Sequence, residues 1–295
     1  MNAGTAKRED RAGSLVEGEF AFHVEDFRRI AAMLYEQSGI SLAESKAALV
    51  YSRLAKRLRA LGLTSFSQYY DLVVSPEGEA ERSAMLNALT TNLTRFYREP
   101  HHFEHLRLEV IEPMVDALRR GGRLRVWSAG CSSGQEPYTI ALTVLSVLPN
   151  APDLDVKILA TDIDSNMLQL CRAGVYSQDA VEPIPAALRD RWLERDASRA
   201  GFWRMSPAAR SLVTFNHLNL MNVWPMKGPF QAIFCRNVVI YFDEPTQERV
   251  WSRMAPLLDV DGRLYVGHSE RVAGDSGVLA GDGLTVYRKL ARART

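Results

Sequence analysis

The stretch VWSAGCSSGQEPYTI, Val126 to Ile140, decides the fold. An apolar strand-like run passes through small residues, with glycines at Gly130 and Gly134, into a segment with helical spacing. A glycine turn between strand and helix is where open α/β sheets bind ligands, at the carboxyl ends of their strands. The residues exclude the common phosphate binders. No Lys-Ser/Thr follows Gly134, so the turn is not a P-loop, and two glycines alone do not make the dinucleotide fingerprint. Glu136 stands at the helix start, where it repels a pyrophosphate and favours a cation. The plain alternative is a first-turn glutamate stabilised by the helix dipole.

Working outward, VKILATDID is a second strand-like run, and the βαβ unit it completes marks a parallel sheet. Asp162 closes that run, where an acid accepts hydrogen bonds from both hydroxyls of a ribose. Capping the next helix is its other reading, for which Asp164 or Ser165 is better placed. S-adenosylmethionine combines a ribose with a sulfonium and an ammonium, so a glycine turn flanked by Glu136 and Asp162 suits it. Ribose binding alone is shared with dinucleotides. AIFCRNVVIYFD reads as a further strand ending in polar residues, and QERVWSRMAPLLDVDG as a helix. GRLYVGHSE and LTVYRKL read as closing strands. Between them and the βαβ unit, residues 175–215 are irregular, with FWRM and SLVTFNH as short strands of a small inserted β-subdomain.

Upstream of Gly121-Gly122 the periodicity is helical throughout. Phe27, Ile30, Met33 and Leu34 share one face ahead of Gly39, and Val50, Leu54, Leu58 and Leu61 form a stripe between a Ser41 cap and Gly62. SFSQYYDLVV and EAERSAMLNALTTN give two more helices. The expected organisation is a disordered tail over 1–20, a helical domain over 21–100, a linker over 101–122 and an α/β domain over 123–295.

With 295 residues the chain is long enough for two modest domains, and its net charge of +1 creates no global field towards nucleic acid or membrane. Cys131, Cys171 and Cys235 form no CxxC pair, which argues against a disulfide framework or structural zinc. No metal is expected. The polar N-terminus carries no secretory h-region, and no apolar window reaches the ~20 residues a membrane span needs. These features fit a cytoplasmic protein.

Together with WSAGCSSGQEPYTIAL, ATDID and FCRNVVIYFD, the segment LTTNLTRFYREPHHFEHL, Leu89 to Leu106, closely resembles the CheR family of chemotaxis-receptor glutamate methyltransferases. The likeness runs from about Phe22 to Leu290. It implies a Rossmann-like S-adenosylmethionine-dependent methyltransferase domain with an inserted small β-subdomain, preceded by an all-α N-terminal domain. It implies methyl transfer to receptor glutamates, leaving S-adenosylhomocysteine. Carried over residue by residue, it assigns Asn92, Thr94 and Arg98 to the cofactor site, Glu136 to the methionine ammonium and Asp162 to the ribose. Asn219 and Leu220 match adenine-side contacts, Arg236 and Asn237 further cofactor contacts, and Tyr241 the tyrosine near the transferred methyl.

A glutamate is ionised at neutral pH and needs no general base to act as a nucleophile. The six histidines are accordingly read as surface or packing residues, and the cysteines as packing residues. Arg98 is the candidate for orienting the acceptor carboxylate, and a structural ion pair is its alternative. Tyr241 is either a hydroxyl near the methyl group or a buried strand-end tyrosine. Lys46, Arg53 and Arg57 share one helix face, flanked by Lys56 and Arg59, and suit the acidic cytoplasmic helices of chemoreceptors; a solvated outer face is the other reading. Some family members hold a receptor tail peptide on the β-subdomain, where relatives that do so are glycine-rich. RDASRAGFWRMS has only Gly201, so tail binding is not expected. Competing functions are a nicotinamide oxidoreductase, a methyltransferase of a small carboxylic acid and a non-catalytic cofactor-binding regulator.

Overall fold

The computed structural model describes residues 14–272 and 278–291. The chain divides into two compact units, one formed by the helical N-terminal part to Thr91 together with Tyr241–Asp243, the other by Asn92–Ile240 and the chain from Glu244.

The helical unit contains α1 (Val24–Ser38), α2 (Ala47–Leu61), α3 (Phe66–Val74) and α4 (Glu79–Leu89). α1 buries Phe27, Ile30, Met33 and Leu34, and ends at Gly39, whose φ of 74° lets its N–H turn back onto the Tyr35 carbonyl. α2 starts later than expected. A short 3-10 turn over Glu44–Lys46 precedes it, and the Ser41 N–H donates to the Tyr241 carbonyl (2.8 Å) instead of Ser41 capping the helix. α3 is capped by the Ser65 side chain, which accepts from the Gln68 N–H. Of the expected tail, residues 1–13 lie outside the described residues. Residues 14–20 are held by the Leu15 N–H on the Phe22 carbonyl, and Phe20 and Phe22 are buried beside Phe66, with the Phe22 and Phe66 rings 4.3 Å apart.

The second unit is built on a seven-stranded sheet, ordered β6 (Val213–His217), β2 (Asp155–Asp162), β1 (Arg123–Ala129), β7 (Phe230–Cys235), β8 (Leu258–Val266), β10 (Val286–Lys289), β9 (Leu279–Gly283). The first five are parallel, with Val126 opposite Ile158 on one side and Ala232 on the other; β10 and β9 close the edge antiparallel. The chain moves outward from β1 to β2 and β6, then crosses to β7 on the other side of β1. The switch point therefore lies between β1 and β7. The helix after β1, α7 (Gln135–Val147), is buried almost all round, as its apolar sequence requires.

Three expectations change here. Residues 101–122 are not a linker. They hold α5 (Pro100–Leu106) and α6 (Glu112–Arg119) joined by a π turn, and Phe103, Leu106, Ile111 and Leu118 enter the sheet core. SLVTFNH belongs to the main sheet as β6, paired with β2, and not to the insertion. The inserted sheet is smaller and consists of β3 (Val175–Ser177), β5 (Phe202–Met205) and β4 (Leu193–Arg195), with FWRM as its central strand. Finally, VIY after β7 forms a 3-10 turn and does not extend the strand.

Candidate functional site

The carboxyl ends of β1, β2 and β7 bring most of the expected residues of the sheet unit together. β1 runs into Gly130, whose N–H donates, with that of Cys131, to the Thr161 carbonyl (2.8 and 2.9 Å). Gly130 has φ 79°, and a Cβ there would come within 2.3 Å of Val238, so only glycine lets the turn lie this close to the loop after β7. Ser132 is left-handed without being glycine (φ 49°), and its N–H donates to Asp162 Oδ2 at 2.7 Å. The other Asp162 oxygen accepts from the Asp164 N–H at 2.8 Å. Asp164, not Asp162, caps α8 (Ser165–Ala173), taking the Asn166 and Met167 N–H groups. Asn92 joins this group, its Nδ2 donating to Asp164 Oδ2 (2.8 Å) and its carbonyl accepting from Ser132 Oγ (2.9 Å).

A second network starts one turn further on. Glu136 accepts from Ser128 Oγ (2.7 Å) and from Arg236 Nη1 (3.1 Å). The Arg236 side chain, 2% exposed, also lies 3.4 Å from Glu99 Oε2 and donates to the Arg98 carbonyl. Glu99 accepts from His268 at 3.0 Å. The Arg98 guanidinium, half-buried, donates to the Leu93 carbonyl (3.0 Å), and Thr94 is half-buried in the same segment. Beyond β6, the Leu218 N–H donates to the Asp162 carbonyl and brings Asn219 and Leu220 to the end of β2. Asn219 Oδ1 caps the Met221 N–H, and the Leu220 carbonyl accepts from Trp224 and Arg253. Asn237, left-handed at φ 58°, gives its N–H to Glu270. Tyr241 groups with the helical unit, where it is half-buried.

Charge distinguishes this place. Four carboxylates, Glu99, Glu136, Asp162 and Asp164, stand with one buried guanidinium, that of Arg236. Burial pushes the Glu136 carboxyl above the usual range, against the pull of Arg236 and Ser128. Burial likewise raises Asp162, opposed by the N–H groups of Asp164 and Ser132. For Glu99 burial pushes up, but Arg236 and His268 prevail and hold it low. A ligand bringing positive charge and hydroxyl donors relieves these groups, whereas a phosphate adds to the repulsion. Glu99, His101 and His102 also approach within 4.8 Å of one another, but Arg236 already places a positive charge on Glu99.

The positions assigned to a receptor surface are partly occupied. Arg57 donates from two nitrogens to the buried carboxylate of Glu81, which also accepts from the Tyr69 hydroxyl, and Arg53 donates to the Ala88 and Thr90 carbonyls. Lys46 and Lys56 are exposed. Sequence reasoning missed Ser128, Ser132, Glu99 and Glu270. The signal for Ser128, Ser132 and Glu270 was their place at or just after strand ends, which many serines and acids share, and for Glu99 its place next to Arg98.

Residues 92–287 match the family described as CheR methyltransferase, SAM binding domain, and residues 25–90 match CheR methyltransferase, all-alpha domain. The chain is 54% identical over 258 residues to a probable chemotaxis protein methyltransferase of Rhizobium etli, covering 87% of this chain and 96% of that protein. It is 45% identical to chemotaxis protein methyltransferase 2 of Pseudomonas aeruginosa, over 91% and 94% of the two chains. Against the chemotaxis protein methyltransferase of Escherichia coli identity is 42%, over 88% and 89%. Among the described residues no helix is long and apolar enough to cross a membrane. A cation-seeking turn at the switch point of a parallel sheet and these matches lead to one conclusion: the chain belongs to the CheR family of chemotaxis methyltransferases, and its cofactor is S-adenosylmethionine.

Proposed function

We propose that the chain methylates glutamate side chains on the cytoplasmic helices of chemoreceptors, forming glutamyl methyl esters. The observation that carries the reading is the half-buried Glu136 at the helix start after the β1 turn, coupled through Arg236 to the 92–99 segment. S-adenosylmethionine supplies an electrophilic methyl group on a positively charged sulfur. The chain's own residues bind and orient: Glu136 holds the ammonium and Asp162 the ribose hydroxyls, with Asn92, Thr94, Asn219, Leu220, Arg236 and Asn237 completing the cofactor site. The acceptor is already a carboxylate at neutral pH, so its barrier lies in desolvation and alignment. Arg98 spends one nitrogen on Leu93 and keeps further N–H groups to orient the incoming carboxylate, while Tyr241 offers its hydroxyl to the reacting groups. Receptor helices dock on the basic face of α2 and the turn before it, where exposed Lys46 and Lys56 carry the attraction and Arg53 and Arg57 support it from their intramolecular contacts.

The test uses methyl-labelled S-adenosylmethionine and membranes containing the chemoreceptors. Label should enter receptor protein, leave as volatile methanol in mild base, and fail to enter with Arg98→Ala. Tight cofactor binding with no receptor label would move the acceptor to a small carboxylic acid or leave a regulator without transfer.

A further inference from the structure

Arg236 and Asn237 owe their placement to a residue thirty-odd positions away. After Cys235 the chain leaves the sheet in a tight turn, and four consecutive backbone N–H groups converge on one side chain. Those of Asn237, Val238, Val239 and Ile240 donate to the Glu270 carboxylate at 2.8, 2.8, 2.9 and 3.3 Å. A fifth, from Gly267, arrives at 2.6 Å. Glu270 is only 2% exposed. The chain thus provides its own anion nest, of the kind that usually receives a phosphate, and fills it with its own carboxylate. A buried carboxylate is costly unless hydrogen-bonded, and these five donors offset that cost.

The turn has little freedom elsewhere. Asn237 sits at φ 58°, a left-handed conformation that asparagine tolerates better than most residues, and its N–H is the first of the donors to Glu270. Gly267, at the end of β8, packs so closely that a Cβ would lie 2.6 Å from Asn237 Nδ2 and 2.9 Å from its backbone nitrogen. One residue earlier, Arg236 projects to Glu136, Glu99 and the Arg98 carbonyl. The peptide that orients Arg236 is the one whose N–H Glu270 holds.

We propose that Glu270 is a positioning residue of the cofactor site: its carboxylate fixes the 236–240 turn and so sets where Arg236 and Asn237 stand. The inference rests on the reading of those two as cofactor-site residues. It separates Glu270 from an ordinary structural anchor, which would alter stability alone.

The test compares full-length wild type with Glu270→Gln, Gly267→Ala and Glu81→Gln, the last a buried glutamate of the helical unit serving as a control. S-adenosylhomocysteine affinity is read by calorimetry, exchange of the 237–240 amides by mass spectrometry, and stability by thermal unfolding. With Glu270→Gln the 237–240 amides should exchange faster and affinity fall on the order of tenfold, with KM for S-adenosylmethionine rising more than kcat falls. Glu270→Asp should recover part of the affinity. Gly267→Ala, which leaves the carboxylate in place but displaces Asn237, should weaken binding too and serves if Glu270→Gln does not fold. Glu81→Gln should lower stability with affinity unchanged. The proposal is overturned if Glu270→Gln, or Gly267→Ala in its stead, binds within about twofold of wild type, whatever happens to stability. Binding of S-adenosylhomocysteine involves no acceptor. A chain that binds it normally yet labels no receptor therefore removes the proposed acceptor and leaves this inference intact.

Discussion

Replacing Arg236 with methionine keeps an unbranched apolar stem but removes the buried cation together with its hydrogen bonds. Two carboxylates depend on it, Glu136 at 3.1 Å and Glu99 at 3.4 Å, together with the Arg98 carbonyl. Breaking one partner from a buried pair costs about 3–5 kcal/mol. Glu136 sets the ceiling at a given pH, because an abandoned carboxylate takes a proton instead of staying charged. Protonating a group of ordinary pKa near 4.3 at pH 7 costs about 3.7 kcal/mol, and each unit of lower pH removes about 1.4. Glu136 is already raised by burial in the wild type, which therefore carries part of this cost; losing Arg236 adds the remainder and withdraws the support that holds Glu99 low, a penalty that fades as pH falls towards the unfolded values. All five tryptophans (Trp127, Trp192, Trp203, Trp224 and Trp251) belong to the sheet unit, so their fluorescence in urea reports that unit alone. Arg236→Met should lose about 3–4 kcal/mol at pH 7 and about 1 kcal/mol near pH 5. Adding Glu136→Gln should return a large part of the loss at pH 7. A deficit under about 1 kcal/mol at pH 7, or one that does not shrink in acid, would refute the reasoning.

Other consequences can be checked separately. Because burial raises Glu136 and Asp162, S-adenosylmethionine affinity should climb with pH through the range above ordinary carboxylate values and then level off, with protons released on binding. Calorimetry in buffers of different ionisation enthalpy counts those protons; a flat profile over roughly pH 5–8 contradicts the assignment. His102 is fully buried, and burial, reinforced by Arg236 and His101, pushes it down to about 3 against the opposing pull of Glu99 and the Leu284 carbonyl. Its stabilisation is therefore present at neutral pH and lost as pH falls below about 6.5, by about 1.4 kcal/mol per unit, a slope that His102→Gln should remove relative to wild type. In the helical unit, Glu81→Gln removes the negative charge and the second oxygen that accept from Arg57 and should cost about 2–3 kcal/mol in the far-ultraviolet circular dichroism transition, with the tryptophan transition unmoved. Arg57→Glu should unfold the same unit, so a loss of receptor methylation in that variant does not report docking, whereas Lys46→Glu does.

What was legible in the sequence was what neighbouring residues decide. The strand, turn and helix around Gly130, Gly134 and Glu136 are consecutive, and their chemistry is visible without partners. The same holds for α1 and α3, whose apolar spacing and caps lie within one turn of each helix end. The errors arose where a distant residue decides. VVIYF has the composition of a strand, but Glu270, just after the neighbouring strand β8, draws its amides into a turn. SLVTFNH is a plausible strand in either sheet, and only its pairing with β2 places it. Arg53 and Arg57 share a helix face in any reading, yet an acid 24 residues on in α4 takes one, and backbone carbonyls after it take the other.

Backbone strain connects these long-range contacts to the chemistry. Tyr97, Glu99, Ser132 and Asn237 all take left-handed conformations without being glycine, and all border the two networks at the strand ends. Each such residue costs of order 1–3 kcal/mol and persists only where its surroundings over-determine it. Here the restraints are identifiable: Thr139 Oγ1 accepts the Tyr97 N–H, Asp162 the Ser132 N–H and Glu270 the Asn237 N–H, while Glu99 is held by Arg236 and His268. The holding groups for Ser132 and Asn237 are buried carboxylates, charges the fold retains at a cost. A displacement on an acceptor that is already ionised gains nothing from a proton-transfer residue and much from alignment. Turns fixed in advance by buried charge suit such a reaction, and they account for Asp162 and Glu270 spending their oxygens on backbone amides.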